Sequence, residues 1–301
     1  MRYHWLKILG KDPKKAMGKL GDKRLESDGI FHALSNISFT IKKGETIGLI
    51  GRNGAGKSTT LKSILDLIKL DSGEITIFGT DHKKLTKIQK EDIGVVFDEC
   101  LVHEQFHIKD VNTIFSGIFT KWNTDTFFSY TKKFNLPDNK KVKEYSRGMK
   151  MKLSLSIALA HDPKLLILDE ATSGLDPVVR DEILDIFLDF IQDEEHAVLI
   201  SSHIISDLEK IADYITMIHR GSVIIQDTKD ELLEHYGILH CSQADLANLD
   251  RSHIKGVRKS SFGCEVLIDN RDTFRPTKDN MPVDAASLEN IMLLTIKGGN
   301  F

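Results

Sequence analysis

A glycine-rich segment, Gly51–Ser58, has the residue types and spacing of a phosphate-binding loop, G-x-x-x-x-G-K-S. Its glycines allow successive backbone N–H groups to turn inward around phosphate oxygens. The apolar run Thr46–Ile50 precedes it and apolar residues at helical spacing follow it, so the positive end of a helix adds to the anion site. We expect Lys57 to reach the outer phosphates of a nucleotide and the Ser58 hydroxyl to ligate Mg²⁺. The alternative, a glycine-rich turn with an exposed lysine, is disfavoured by the flanking strand and helix.

Two carboxylates, Asp169 and Glu170, follow the apolar run Leu165–Leu168. A buried strand of a parallel sheet delivers the residues at its carboxyl end to the ligand crevice. Asp169 can hold Mg²⁺ through water, and Glu170 can polarise a water for attack on a terminal phosphate. Capping of a following helix is the alternative role for either residue. The phosphate loop earlier in the chain favours the catalytic interpretation.

A histidine, His203, follows another apolar run, Ala197–Ser201. If that strand lies beside the one ending at Asp169, a neutral imidazole at His203 opens on the same crevice and can orient a water. A structural histidine is the alternative.

A serine, Ser146, stands at the start of a predicted helix, and its simplest role is to cap that helix. The sharper hypothesis is a second anion site formed by Ser146, Gly148 and the helix dipole. If the surrounding helices project away from the phosphate loop, that site needs a second subunit to complete it.

Apolar strands alternate with amphipathic helices along the chain, which predicts an α/β fold with a mostly parallel sheet and helices on both faces. About residues 100–160 show only helical patterns, including one stripe over Val111–Trp122, and indicate a helical insertion. Tyr214–His219 and Ser222–Gln226 predict a closing hairpin. The other predicted elements are strands over Leu34–Ile41, Glu74–Phe78, Leu165–Leu168 and Ala197–Ser201, and helices over Ser58–Leu70, Phe127–Phe134, Met149–His161, Val178–Gln192 and Ile204–Ala212.

We divide the chain into three parts. Residues 1–30 show no sustained strand pattern and are expected to form an irregular leader with a short helix around Tyr3–Leu9. Residues 31–235 form the domain with the phosphate loop. Residues 236–301 form a small α+β accessory module or a tail packed on the main domain, with a hairpin and a terminal helix over Val257–Ser261, Cys264–Ile268 and Ser287–Thr295.

The composition excludes several classes of protein. Of 301 residues, 41% are apolar and 28% charged, as in a globular chain with a sizeable core. The net charge of −3 gives no general case for binding nucleic acid or anionic lipid. Three separated cysteines without a CxxC pair fit reduced thiols better than disulfides or zinc. No run approaches the roughly 20 apolar residues of a membrane span, and no signal peptide is expected.

Five motifs together resemble the ATPase subunits of ATP-binding cassette (ABC) transporters, over about residues 32–230. The phosphate loop comes first, and the others follow in the family's order: a signature at Tyr145–Met149, the acidic motif Leu165–Glu170, a D-loop at Ser173–Asp176 and a switch histidine at His203. The resemblance implies a P-loop cassette fold with antiparallel edge strands. It also implies a head-to-tail dimer around two ATP molecules with Mg²⁺.

The resemblance also implies roles for individual residues. These are catalysis by Glu170, His203 and Lys57; metal ligation by Ser58, Asp169 and Asp98; nucleotide contacts from Phe31, Asn53, Gly54, Ala55, Gly56, Lys57, Ser58 and Thr59; and contacts from a second subunit by Ser146, Gly148 and Asp176.

Three features depart from the family pattern. Asp98 stands where the family has glutamine, and its carboxylate adds negative charge near the γ-phosphate while still able to ligate Mg²⁺. Arg147 and Met149 replace Gly and Gln of the LSGGQ signature. The adenine-stacking aromatic falls on Phe31 or His32, and the family's usual first strand is poorly represented in residues 1–30.

A closer resemblance is to Gram-positive exporter ATPases for antibiotics, antimicrobial peptides and phenol-soluble modulins. It is carried by Gly94–Glu99, Tyr145–Leu153, Glu170–Pro177 and Ser202–Ala212. It implies an ATPase at the cytoplasmic face of the cell membrane, peripheral through a separate membrane subunit that docks near Asp98–Trp122.

Two other functions stay open. One is a soluble ABC-type ATP switch acting on ribosomes or nucleic acid, which the single phosphate loop and the net charge disfavour. The other is the less active half of a heterodimeric transporter ATPase. The altered signature and Asp98 favour that second alternative, whereas the intact Lys57, Asp169, Glu170 and His203 disfavour it.

Overall fold

The computed structural model describes the backbone of residues 4–9 and the whole of residues 32–274 and 281–298. Across these ranges every helix is too short or too polar to cross a membrane.

A six-stranded sheet forms the centre of the fold and is parallel except at one edge. From one edge to the other its strands are β10 (Ser222–Thr228), β9 (Tyr214–His219), β3 (Thr46–Ile50), β8 (Ala197–Ser202), β7 (Leu165–Asp169) and β6 (Ile93–Val96). The antiparallel β9–β10 pair confirms the predicted closing hairpin. Both faces are buried, because alternate residues of β7 pack into two different cores. Because β3, β8 and β7 are parallel neighbours, their carboxyl ends lie side by side at the same end of the sheet.

A second, antiparallel sheet packs beside the first and includes a strand that the sequence analysis missed. Its strands are β2 (Phe39–Lys42), β1 (His4–Leu9), β4 (Glu74–Ile77) and β5 (Thr80–Asp81), in that order. The helix predicted around Tyr3–Leu9 is therefore wrong over residues 4–9. Its apolar residues fit a helical as well as a strand period, and only pairing with distant β2 and β4 selects the strand.

Two other predicted elements are shorter in the structure. The strand predicted from Leu34 begins only at Phe39, because the backbone turns at Asn36, which has a φ of 53°. The helix after the phosphate loop, α1 (Lys57–Ile64), ends six residues before the predicted Leu70, next to Asp66 with a φ of 56°.

Two further helices beside the sheet, α6 (Pro177–Ile191) and α7 (Ile205–Ile211), match their predictions closely. Two short helices, α2 (Lys87–Glu91) and α8 (Lys229–His235), were not predicted from the sequence, and single 3-10 turns lie at His82–Lys84, Val142–Glu144 and Arg251–His253.

The predicted helical insertion contains α3 (Ile108–Ile118), α4 (Thr124–Lys133) and α5 (Arg147–Leu159). The apolar stripe over Val111–Trp122 is not one helix, because α3 ends at Ile118. Trp122 lies beyond the end of α3, and its ring stacks on Phe115 of the helix, with ring centroids 5.7 Å apart.

A buried carboxylate connects the helical insertion to the sheet through hydrogen bonds. Glu91, 3% exposed at the end of α2, accepts hydrogen bonds from Thr120 N (2.8 Å), Thr120 Oγ1 (3.0 Å) and Lys121 N (3.1 Å). Burial opposes ionisation of Glu91, but these donors outweigh it and hold the pKa of the carboxyl below its ordinary value of 4.5. The neighbouring His161 ring contacts Glu91 O at 2.8 Å and stacks on Phe119. The two subdomains are thus joined by charge-assisted hydrogen bonds.

The C-terminal part contains β11 (Gly237–Cys241), β12 (Ile254–Ser260), β13 (Gly263–Ile268), β14 (Val283–Ala285), α9 (Gln243–Leu246) and α10 (Leu288–Lys297). The predicted β12–β13 hairpin and terminal helix are confirmed. Ile291 and Leu294 of α10 share one hydrophobic core with Leu208 and Ile211 of α7. The C-terminal sheet also has a small core of its own, which includes Leu239, Val266 and Ile268, and α10 joins this part to the preceding domain.

The Glu91 contacts predict a pH-dependent loss of stability in Glu91→Gln. We expect a loss of about 2 kcal/mol in the free energy of unfolding at neutral pH, because the amide cannot replace the charged acceptor. Since the folded-state pKa of Glu91 is lowered, its contribution is present above pH 4.5 and is lost as the pH falls through the folded-state value. Urea unfolding at pH 7 and at about pH 4 measures the difference. Glu74→Gln, at an exposed position of β4, is the control; an equal loss at both pH values would contradict the assignment.

Candidate active site

A cleft of about 620 Å³ opens at the carboxyl ends of the central strands. It is formed by the phosphate loop, the residues after β6 and β7, and the loop after β8. Its lining residues are Ala33, Asn53, Gly54, Ala55, Gly56, Lys57, Ser58, Thr59, Asp98, Glu170, Ser173 and His203.

The phosphate loop needs its glycines for two different reasons. Gly56, which precedes α1, has a φ of 117°, a conformation that side chains rarely adopt. Gly51 lies so close to β9 that a Cβ would stand 2.4 Å from Ile218 O. The amino end of α1 has no side-chain cap, so its N–H groups face the cleft as an anion site.

Lys57 places a buried positive charge in the cleft. Its side chain is 5% exposed, and its ammonium donates to Gly51 O at 2.7 Å and lies 3.0 Å from Glu170 Oε1. Burial of an unpaired ammonium is costly, so these two oxygens fix the position of the side chain. The same ammonium can also bind phosphate oxygens.

Asp169 lies at the end of β7 within a network of hydroxyl groups. Its Oδ1 accepts hydrogen bonds from Ser58 Oγ at 3.0 Å and from Ser201 Oγ at 2.6 Å. The hydroxyl of Ser58, the carboxylate of Asp169 and the cleft-lining Asp98 are hard oxygen donors. Mg²⁺ uses few protein oxygens and keeps several waters. The residues present therefore fit a magnesium ion that Ser58 and Asp169 would hold, and Asp98 lines the same cleft.

Glu170 is held in a strained conformation that aims its carboxylate into the cleft. Its φ is 53°, unusual for a residue with a side chain. Its N–H donates to Ser201 O (3.1 Å) and is also near Ser201 Oγ (3.2 Å), which fixes the strained turn. Its Oε2 contacts His203 Nδ1. One carboxylate thus links the buried ammonium of Lys57 to the half-exposed imidazole of His203.

Three predicted site residues, Ser146, Gly148 and Asp176, lie outside the lining of this cleft. Ser146 caps α5 by accepting a hydrogen bond from Met149 N (3.3 Å), and Asp176 caps α6 by accepting one from Val179 N (3.1 Å). Gly148 lies in the first turn of α5 against Val179. Among the described residues all three lie outside the lining, and Phe31 falls outside the described residues. His32 does not line the cleft either, whereas Ala33 does.

Ser201 is the main site residue that the sequence analysis did not identify. It is fully buried, and its hydroxyl contacts both Asp169 and the backbone of Glu170. The signal was a pair of hydroxyl residues ending an apolar strand just before His203. Without the strand order, nothing in the sequence placed that pair beside Asp169.

Comparison with known proteins gives a consistent set of relatives. The family model described as ABC transporter matches residues 34–173. The chain is 34% identical over 203 residues to the ABC transporter ATP-binding protein YtrB of Bacillus subtilis, covering 67% of this chain and 69% of that one. It is 36% identical to the lantibiotic transport ATP-binding protein SrtF of Streptococcus pyogenes (65% and 85% covered) and 33% identical to the bacitracin transport ATP-binding protein BcrA of Bacillus licheniformis (66% and 66%).

Solved structures agree with the fold. A structure of cbiO1 from Clostridium perfringens, part of the ABC transporter complex cbiONQ, is 27% identical with a TM-score of 0.61, covering 77% of this chain and 91% of that one. A dimeric ATP-binding cassette bound to ADP and Pi is 22% identical with a TM-score of 0.62, covering 74% and 98%. The predicted α/β cassette fold is confirmed.

The Ser201 contacts predict a defect in turnover for Ser201→Ala. Removing the hydroxyl takes away one of the two hydrogen bonds to Asp169 and one contact to the backbone of Glu170, and we expect kcat for ATP to fall about tenfold. Phosphate release under saturating ATP measures the change. Ser156→Ala, which also removes a fully buried hydroxyl but in α5, should keep wild-type turnover, and an equal loss in both variants would contradict the assignment.

Proposed function

The chain belongs to the ABC transporter family as an ATP-binding subunit, and on that premise we propose that it hydrolyses ATP to drive a separate membrane subunit that exports peptides or antibiotics. The observation that carries the proposal is the linked set Lys57–Glu170–His203 beside the phosphate loop. The names of SrtF and BcrA, which refer to lantibiotic and bacitracin transport, support the substrate class.

The proposed reaction is an in-line displacement at the γ-phosphorus of ATP. Glu170 accepts a proton from the attacking water while the water oxygen bonds to phosphorus and the bond to the ADP oxygen breaks. His203, beside Glu170 Oε2, holds the carboxylate and the water in line. Lys57 and the loop N–H groups offset charge on the transferring phosphoryl group. A magnesium ion, held by Ser58 and Asp169, would neutralise phosphate charge.

The proposed site is completed by a second copy or a sister subunit. Ser146, Gly148 and Asp176 lie outside the cleft of their own chain, and Ser146 and Asp176 are exposed. In this proposal the amino end of α5 binds the phosphates of a nucleotide held by the other subunit. A head-to-tail pair would bring this end to the nucleotide of the other subunit.

The membrane subunit is proposed to dock near Asp98–Trp122, at the cytoplasmic face. Leu101 is 77% exposed and Ile118 is 51% exposed in this segment, so apolar side chains are available there for a partner to cover. The segment lies between the sheet, through β6, and the helical insertion, through α3. A partner there would contact both parts at once.

The proposal predicts that Glu170→Gln keeps ATP binding but loses turnover. The amide cannot accept the proton of the water, so we expect kcat to fall by a factor of about 10³ while ATP binding and ATP-dependent pairing of chains persist. Phosphate release and light scattering with ATP and Mg²⁺ measure the two properties. The control is Glu182→Gln, which changes an exposed carboxylate of α6 that pairs with Lys152 of α5. Normal turnover in Glu170→Gln would overturn the assigned mechanism.

A further inference from the structure

A second carboxylate is buried behind the active site. Asp207, in the first turn of α7, is 1% exposed. Its Oδ1 lies 3.4 Å from Arg180 Nε of α6, and its Oδ2 makes no hydrogen bond within the described part of the chain. A buried carboxylate with one long ion pair is costly for the fold.

A buried threonine faces this carboxylate. The Thr172 hydroxyl, 1% exposed, lies close enough to lower the pKa of Asp207, yet Thr172 Oγ1 completes no hydrogen bond among the described residues. Burial nevertheless dominates and raises the pKa of Asp207 against the opposing effects of Thr172, Arg180, His203 and Lys210.

The Thr172–Asp207 contact joins the same two segments of the chain as the Glu170–His203 contact in the active site. Glu170 and Thr172 lie two residues apart on the segment after β7, and His203 and Asp207 lie four apart on the segment after β8. Asp207 and Arg180, 3.4 Å apart, place a third contact next to these two.

Holding α6 and α7 together does not require Asp207. Lys210 of α7 already bridges to Asp181 and Asp185 of α6, at 2.7 Å each, on the surface. Asp207 instead contacts Thr172, between Glu170 and the D-loop, and Arg180, just after the D-loop.

We infer that Asp207 is a positioning residue for hydrolysis, which acts through Thr172 and Arg180 to hold the Glu170 segment against the His203 segment. The inference rests on the proposed function. Asp207 is not among the residues that line the cleft. Its loss should leave ATP binding intact and reduce the fraction of complexes in which Glu170 and His203 are aligned.

The test compares kcat and KM for ATP in purified variants of the full chain. We expect Asp207→Asn to lower kcat about tenfold with KM within about twofold of wild type. Asp213→Asn is the matched control, because this carboxylate accepts a hydrogen bond from Thr46 N at the opposite end of β3. It should keep wild-type kcat.

The hydroxyl contact provides an independent pair of variants. Thr172→Val should lower kcat, and Thr172→Ser, which keeps the hydroxyl, should restore most of it. Thr216→Val is the control, since Thr216 is also buried with a hydroxyl that makes no hydrogen bond in the described structure. If Asp207→Asn does not fold, the Thr172 variants and the Thr216 control test the inference in its place.

Each outcome separates the inference from the proposed function. Wild-type kcat in Asp207→Asn and Thr172→Val, or a loss confined to KM, would overturn the inference alone. Equal losses in the Asp213 and Thr216 controls would also overturn it, because the effect would be general destabilisation. Absence of turnover in the unmodified chain would overturn the proposed function and the inference with it.

Discussion

The buried charge of Lys57 is the constraint on which the site depends. An ammonium that is 5% exposed must be matched by nearby oxygens. Those oxygens come from Gly51, after β3, and from Glu170, after β7. The strands that carry them are separated in the sheet only by β8, which ends just before His203. The parallel register of three strands thus determines which side chains meet, and Glu170 accepts a strained backbone to complete the set.

Much of this site could be predicted because its residues follow buried strands. Lys57, Glu170 and His203 each stand just after an apolar run, and the carboxyl ends of parallel strands share one edge. Ser201 could not be assigned, because its partners come from the neighbouring strand and the strand order was unknown. Strand β1 was mistaken for a helix, since only its pairing with two distant strands distinguishes the two. The roles proposed for Ser146, Gly148 and Asp176 concern a second chain and stay predictions.

The site is connected to both outer parts of the chain. Glu91 fastens the helical insertion, which carries Ser146, to the strand that leads to Asp98. On the other side α10 packs against α7, which begins two residues after His203. Because α10 shares its core with the cassette, a shift of α10 would disturb the packing of α7. The sequence did not indicate that α10 packs on α7, since the apolar residues of the C-terminal part fit a separate small core equally well.

The central claim, that two chains complete one site, is tested most directly by mixing two variants. Lys57→Ala disables the phosphate loop, whereas Ser146→Asp keeps a good cap for α5 but opposes phosphate with negative charge. The account predicts that each variant alone is nearly inactive in ATP hydrolysis. An equimolar mixture should recover activity, because a mixed pair contains one site with an intact Lys57 and an intact Ser146. Failure of the mixture to recover activity at any concentration, or full activity of Ser146→Asp alone, would contradict the account.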